Sequence, residues 1–494
     1  MESFFSGLTS IPPLRPTFNV GAGLDIPCGA YFVGENGESI LSGGMPAIMS
    51  IQGPPNAFKS VVFQFVNMSV ADRIEQFIAS FYDAEGSMNY NRINQLSKRF
   101  PNLRKIIHGD PTLSPDKIKF MITSSADELG DVYFDKINNY GKERIKNKVK
   151  KLDTPFVDKL GKYISIFAPI GVFFDSLSKM EFTTHVENIL DKNSLGESGN
   201  NIYYMKQGLT KKILIDRLPH LNSNCGMYFT LTAQLGDEFI MDQYAPKKHD
   251  LTHSKRGSVT TGVTKGYKYI NNIIYEIFSS DKFDNKPAKT GVQYPLIQSD
   301  RNEDCTDLMK LSIKVVRNKE GATGMPIEII VSQREGVLPH LTNFHCIKEE
   351  DFGLSGNNTS YNLDLVPDVK LGRTTVRGII DENPKIRRAL EITHELLQIK
   401  SLWYELPDNL MCTPLELYND LKAIGYDWNI LLNTRGWWCF KESESKELPF
   451  LSTLDLLKMR KKSILSNNIL YKPFWLNEDK LTYNKKFKHI LNNA

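Results

Sequence analysis

Ala47-Ile-Met-Ser-Ile-Gln-Gly53-Pro-Pro-Asn-Ala-Phe-Lys59-Ser60 is the stretch on which the fold turns. Residues 47–52 are mostly apolar and short enough for a buried strand. Gly53 and the two prolines end that strand, and Lys59-Ser60 opens a segment with helical spacing. Strand, tight loop and helix N-terminus in that order make an anion cradle, because their free N–H groups point at bound oxygens. A lysine at the end of the loop adds a point charge, and the hydroxyl beside it can ligate Mg2+. Gly53, Pro54, Pro55, Asn56, Ala57, Phe58, Lys59 and Ser60 are therefore candidate ATP-binding residues, with Ser60 also a metal ligand. Phe58 stands where a glycine usually lets the backbone approach phosphate. Taken alone, the stretch also fits an ordinary strand–turn–helix carrying a chance Lys-Ser pair.

Working outward, short apolar runs at 77–82, 118–122, 171–174 and 226–232 alternate with helically spaced segments. That alternation predicts βαβ units and a mostly parallel central sheet, an α/β fold. Three of the runs end in polar residues: Asp83-Ala-Glu85, Asp175-Ser176 and Ala233-Gln234. Ligands of parallel sheets sit at the carboxyl ends of strands, so these residues are expected on the same rim as the loop. Glu85 is the candidate base that polarises an attacking water, and Asp175 the candidate Mg2+ partner. Gln234 supplies a further polar side chain, counted with Glu85 and Lys59 as catalytic. Each strand end alone could be merely solvated; three of them in register with the loop are hard to obtain by chance. Runs at 271–278, 310–316 and 327–331 read as strands joined by hairpins at the sheet's edge.

The 494 residues suggest more than one domain, read here as 1–45, an N-terminal segment expected to contact another subunit; 46–338, the core; and 339–494, an α+β region without assigned role. Hydrophobic content of 41% and charged content of 24% are those of a globular chain, and the longest apolar runs are too short to span a bilayer. Six scattered cysteines without a CxxC pair, and nine dispersed histidines, argue for reduced thiols in a cytoplasm and against a zinc site. The net charge of +4 is too mild to decide on nucleic acid by itself.

At this point the chain resembles the RecA-type recombinases, most closely the UvsX-like recombinases of tailed phages. The Phe-Lys-Ser ending of the loop is similar to theirs, as are Tyr82-Asp-Ala-Glu85, the 153–158 segment leading into Asp175-Ser-Leu-Ser178, and Thr260-Thr-Gly262. The resemblance covers roughly residues 20–335. It implies a RecA-like P-loop ATPase core using ATP and Mg2+, with Glu85 as the catalytic glutamate. It also implies helical filaments on single-stranded DNA, pairing with homologous duplex DNA, and a bacterial host cytoplasm as the place of action. A loader or single-strand-binding protein is a further implied partner. Arg317 and Lys319 resemble the basic residues that reach a neighbour's ATP, although edge-strand charge is also a device against sheet pairing.

Two stretches are candidate DNA loops. The first, 193–208, is rich in Gly, Asn and Ser and contains Lys206. The second, 236–259, carries Lys247, Lys248, Lys255 and Arg256 with Phe239 and Tyr244, and closes at Thr260 and Gly262. Cations interleaved with rings suit single strands, since charges track phosphates while rings stack on bases. A solvated surface loop is the plainer alternative. Two other functions use a comparable core: a ring-forming helicase of the DnaB type, and a DNA-coating filament with little ATPase activity. Trp437-Trp438 reads as core packing.

Overall fold

The computed structural model describes residues 16–86, 88–103, 119–158, 160–183, 200–238, 246–283, 292, 294–295, 307–357, 359–402, 410–465 and 471–492. A small ribbon, β1 (Ala30–Val33) and β2 (Ser39–Ser42), leads into β3 (Ile48–Gly53). Then come β4 (Ile78–Asp83), β5 (Phe120–Ser124), a second ribbon of β6 (Lys151–Val157) and β7 (Tyr163–Phe167), and β8 (Ile170–Asp175). After them follow β9 (Met227–Asp237), β10 (Ser258–Thr260), β11 (Ile273–Lys282), β12 (Leu308–Asn318), β13 (Pro326–Ser332) and β14 (Gly336–Val337).

The central sheet runs β14-β13-β12-β11-β3-β9-β8-β4-β5, with β10 added to β9. Its middle is parallel: β11 on β3, β3 on β9, β9 on β8, β8 on β4 and β4 on β5. The edge built from β12, β13 and β14 is antiparallel. The predicted α/β architecture with a mostly parallel sheet and hairpins at one edge is the one observed.

Central strands β3 and β8 are buried along their whole length, as parallel strands covered on both faces must be. Alternation sends Met49, Ile51 and Phe173 into one apolar cluster with Val62, Phe63 and Val66 of the Lys59–Arg73 helix. It sends Ile48, Val172 and Phe174 to the other face, against Tyr133 and Phe134 of the Gly130–Lys146 helix and Leu214 and Ile215 of the Asn200–Cys225 helix.

Residues beyond the core share its interior. Phe18, Val20, Ala22 and Leu24 lie in the first cluster, so residues 16–45 pack within this chain. Trp438 packs there too, with its ring 5.0 Å from that of Phe18 and its Nε1 donating to Thr17 O at 2.9 Å. The polar stretch after residue 338 forms the Pro339–Glu349 helix and a three-stranded meander, β15 (Leu354–Asn357), β16 (Ser360–Leu363) and β17 (Val366–Gly372). Leu341 and Phe344 of that helix share a cluster with Ile330 of β13 and Leu308 of β12, making 339–494 continuous with the sheet edge. Among the described residues no helix is long and apolar enough to cross a membrane, and no group of His, Cys, Asp and Glu could hold a metal by itself.

Candidate functional site

Strand register assembles the site. Gly53 pairs with Gln234 across β3 and β9, and Asp83 pairs with Asp175 across β4 and β8. All four positions close their parallel segments, so the side chains just beyond them meet at one carboxyl edge. There Pro55, Asn56, Ala57, Phe58, Lys59, Ser60, Glu85, Asp175 and Gln234 line a cavity of about 390 Å³. Gly53 is buried at the strand end, and the Pro54 carbonyl accepts a 2.6 Å hydrogen bond from Lys59 Nζ.

The 53–60 loop contains two non-glycine residues in the left-handed region, Asn56 at φ 58° and Phe58 at φ 60°. For Phe58 that conformation costs about 1–2 kcal/mol. Packing of its half-buried ring against the first apolar cluster opposes the strain. Phe58 thus takes the backbone conformation for which a glycine is the cheap solution. It is also the N-cap of the Lys59–Arg73 helix and makes no side-chain cap; Val61 N–H donates to its carbonyl at 3.1 Å, which leaves the N–H groups of Lys59 and Ser60 to face an anion.

Around the cavity the charges are held by specific partners. Asp175 is buried, and its Oδ1 accepts from Thr232 Oγ1 at 2.5 Å. Burial pushes its carboxyl above the usual range; the Thr232 and Ser60 hydroxyls oppose this, while Glu85 and Asp83 add to it. Its Oδ2 is buried without a hydrogen-bond partner of ordinary geometry. Burial lowers the Lys59 ammonium, and the carboxylates of Glu85 and Asp175 pull it back up. Glu85 is exposed, and its Oε1 accepts from Ser176 Oγ at 2.7 Å and from Gln234 Nε2 at 3.0 Å.

Gln234 also faces the other way through its backbone. Its N–H donates to Ser178 Oγ at 3.0 Å, and its carbonyl accepts from Thr261 N at 2.9 Å. Lys211, buried in the Asn200–Cys225 helix, donates to Ser178 O at 3.2 Å and to Gly262 O at 2.8 Å. Burial lowers its ammonium to about 8. A side chain on Gly262, at φ 66°, would lie 2.6 Å from the Ser178 carbonyl, so the two chain segments touch there.

The second candidate loop is less irregular than its composition suggests. β9 continues past Gln234 to Asp237, and β10 returns beside it with Thr260 opposite Leu235. Thr260 is therefore a strand residue at the base of a hairpin, its hydroxyl 3.4 Å from Gln52 Oε1. Lys247, Lys248, Lys255 and Arg256 are exposed on the connection between the strands. Arg256 Nε donates to His249 Nε2 at 2.9 Å. Phe239 and Tyr244, and residues 193–199 of the first candidate loop, lie outside the described residues; Lys206 falls in the Asn200–Cys225 helix.

Arg317 and Lys319 are not brought to this cavity. Arg317 pairs with Ile274, which pairs with Ser50, three residues short of Gly53. That is about 10 Å back along the strand. Their side chains instead donate to the carbonyls of Asn271, Tyr269 and Ile270. Sequence reasoning put Ser176 on the rim and quoted Ser178 in its segment without giving either a role, and it missed Thr232 and Lys211; their neighbours in space give all four their roles.

No protein-family model matches the chain, and no curated protein matches it in sequence.

Proposed function

We propose that the chain is a DNA-dependent ATPase with a RecA-like P-loop core, a recombinase that assembles head to tail on single-stranded DNA and pairs it with homologous duplex. The observation that carries this reading is the Glu85–Gln234 hydrogen bond. One residue contacts the candidate water-activating carboxylate through its side chain and the basic hairpin through its backbone. A nucleotide enzyme with no second ligand to sense has no need of that connection.

The donor set fits ATP with Mg2+. Asp175 Oδ2 is an unpartnered buried carboxylate oxygen with the Ser60 hydroxyl close to its carboxyl group, the hard oxygen environment that Mg2+ takes together with its waters. Bound there, the ion would neutralise charge on the phosphates. Lys59 and the uncapped first turn of its helix hold the phosphate oxygens. Glu85 takes a proton from the attacking water, and Ser176 fixes its carboxylate orientation. Gln234 exchanges Glu85 for the γ-phosphate and transmits the difference to Thr261 and the hairpin. Lys247, Lys248, Lys255 and Arg256 track the DNA backbone. Arg317 and Lys319, too far from their own cavity, act on a neighbour's, and such head-to-tail contacts propagate as a helix when the rotation does not close.

The test is ATP hydrolysis by wild type and Glu85→Gln, with and without single-stranded DNA. The reading expects stimulation by DNA in wild type and a loss of about 10²–10⁴ in the variant. Equal wild-type rates with and without DNA reject it. Ring particles with processive unwinding would point to the helicase alternative instead.

A further inference from the structure

A second, larger cavity of about 660 Å³ lies at the far end of the Lys59–Arg73 helix, lined among others by Phe65, Arg73, Arg99, Phe100, His340 and Trp437. Three of these carry buried N–H groups with no acceptor: Arg73 Nη1, Arg99 Nε and Trp437 Nε1. His340 Nδ1 is equally unpartnered, and burial holds that imidazole at about 4, neutral at pH 7. No oxygen among the lining side chains is buried and unpartnered; the Arg73, Arg99 and Trp437 N–H groups can only donate, while the neutral His340 nitrogen donates or accepts according to its tautomer.

The carboxylates on the wall are already engaged. Glu335 accepts from Arg99 and Arg377, Asp381 from Arg99, Glu391 from Arg388, and Asp72 from the Asn102 N–H. Arg73 Nη1 comes no nearer to a carboxylate than 3.9 Å, to Asp25, while its guanidinium lies 4.7 Å from the Trp437 ring centre. The Pro339–Glu349 helix also begins on this wall, through Pro339 and His340, without a side-chain cap. Its dipole adds positive potential.

We propose that this cavity binds a phosphate-bearing small molecule. Several donors spread over a space of this size suit a polyanion better than a single carboxylate, which takes one bidentate fork. Phe65, Phe100 and the Trp437 ring offer an apolar wall to the rest of a nucleotide-class ligand. The site is separate from the 390 Å³ cavity: the helix joining them has 15 residues, about 22 Å of rise.

Equilibrium dialysis of the full chain with inorganic pyrophosphate, and separately with ADP, tests this. Lys59→Ala weakens the first cavity, so the expected result in that background is one remaining site. Trp437→Phe keeps the ring and removes one donor; added to Lys59→Ala it should weaken the remaining site about tenfold, and Arg73→Met more strongly. Unchanged thermal melting shows that the variants fold. Binding of either ligand at the remaining site supports the proposal, the tighter one identifying the source of the phosphate. Absence of any site in Lys59→Ala overturns it while leaving the ATPase reading intact. So does a remaining site that neither Trp437→Phe nor Arg73→Met weakens.

Discussion

Changing Gln234 to alanine deletes the Nε2–H that donates to Glu85 Oε1 at 3.0 Å and leaves the Ser176 hydroxyl on that oxygen at 2.7 Å. The Gln234 backbone bonds to Ser178 and Thr261 survive the change, so the hairpin stays seated. The change removes one hydrogen bond to a carboxylate, worth about 1.5–3 kcal/mol when shielded. This one lies at an exposed rim, so the lower figure applies, and about 1.4 kcal/mol corresponds to tenfold. The expected outcome is an uncoupled enzyme: basal ATP hydrolysis within about threefold of wild type, and the DNA-stimulated increment reduced about tenfold, a normal size for a coupling free energy. Steady-state hydrolysis across a DNA titration reads both quantities. Fluorescence anisotropy of labelled single-stranded DNA, without nucleotide, should show unchanged affinity. If basal and stimulated rates fall together, Gln234 acts only in the chemistry. If nucleotide-free DNA affinity falls, the side chain supports the hairpin itself. Either result removes the coupling role.

Phe58→Val should be less stable than Phe58→Gly in chemical denaturation by about 1–2 kcal/mol, because valine keeps the left-handed strain and both lose the ring; equal stabilities would contradict the φ of 60° at that position. Changing Lys247, Lys248, Lys255 and Arg256 together to alanine should flatten the salt dependence of single-stranded DNA binding, by about 0.7 in log–log slope for each phosphate no longer neutralised; an unaltered slope moves DNA binding off the hairpin. The Glu328 carboxyl is held down to about 2, first by the hydrogen bond from His345 and then by Lys310. Because the folded value lies below the unfolded one, its stabilisation is present above the unfolded value near 4.5 and fades as pH falls toward 2. With solvent screening this amounts to about 1 kcal/mol, and Glu328→Gln should remove that part of the pH dependence from urea melts between those values.

The 53–60 loop and the strand ends were legible because each is a local pattern: a breaker after an apolar run, and a polar residue where the run stops. The order of strands is not local. Nothing in 47–60 says that β3 lies between β9 and β11, yet that placement sets Gln234 beside Gly53. Arg317 and Lys319 were expected to reach a neighbour's ATP, and their distance from the chain's own cavity is likewise a matter of register, which sets Arg317 at the level of Ser50. The polar stretch after 338 looked like a boundary because turn residues dominate it. Pro339 at the first helical turn was the missed signal, since proline there starts a helix. Trp438 was readable as core from residue type, but its partners, Thr17 and Phe18, are more than four hundred residues away in the chain.

Two of the bonds that hold the hairpin limit how it can move. One is the Gln234–Thr261 backbone bond at its base. The other runs through Glu276 of β11, which is fully buried and whose carboxyl is raised by that burial. Its Oε2 accepts from Gln52 Nε2 at 2.7 Å, and its Oε1 accepts from Lys255 N at 2.7 Å. Gln52 precedes Gly53 on β3, so the strand that leads into the 53–60 loop is bonded through one carboxylate to the basic connection. A buried carboxylate with a donor on each oxygen resists displacement, because losing either bond leaves an unpaired polar atom in a low-dielectric setting. The hairpin base is therefore a fixed part of the sheet, and a signal from the cavity cannot travel as a rigid shift of the whole hairpin. Under the proposed function it passes through the Gln234 side chain, which lies at the rim beside Glu85 and would find an alternative partner in a bound phosphate.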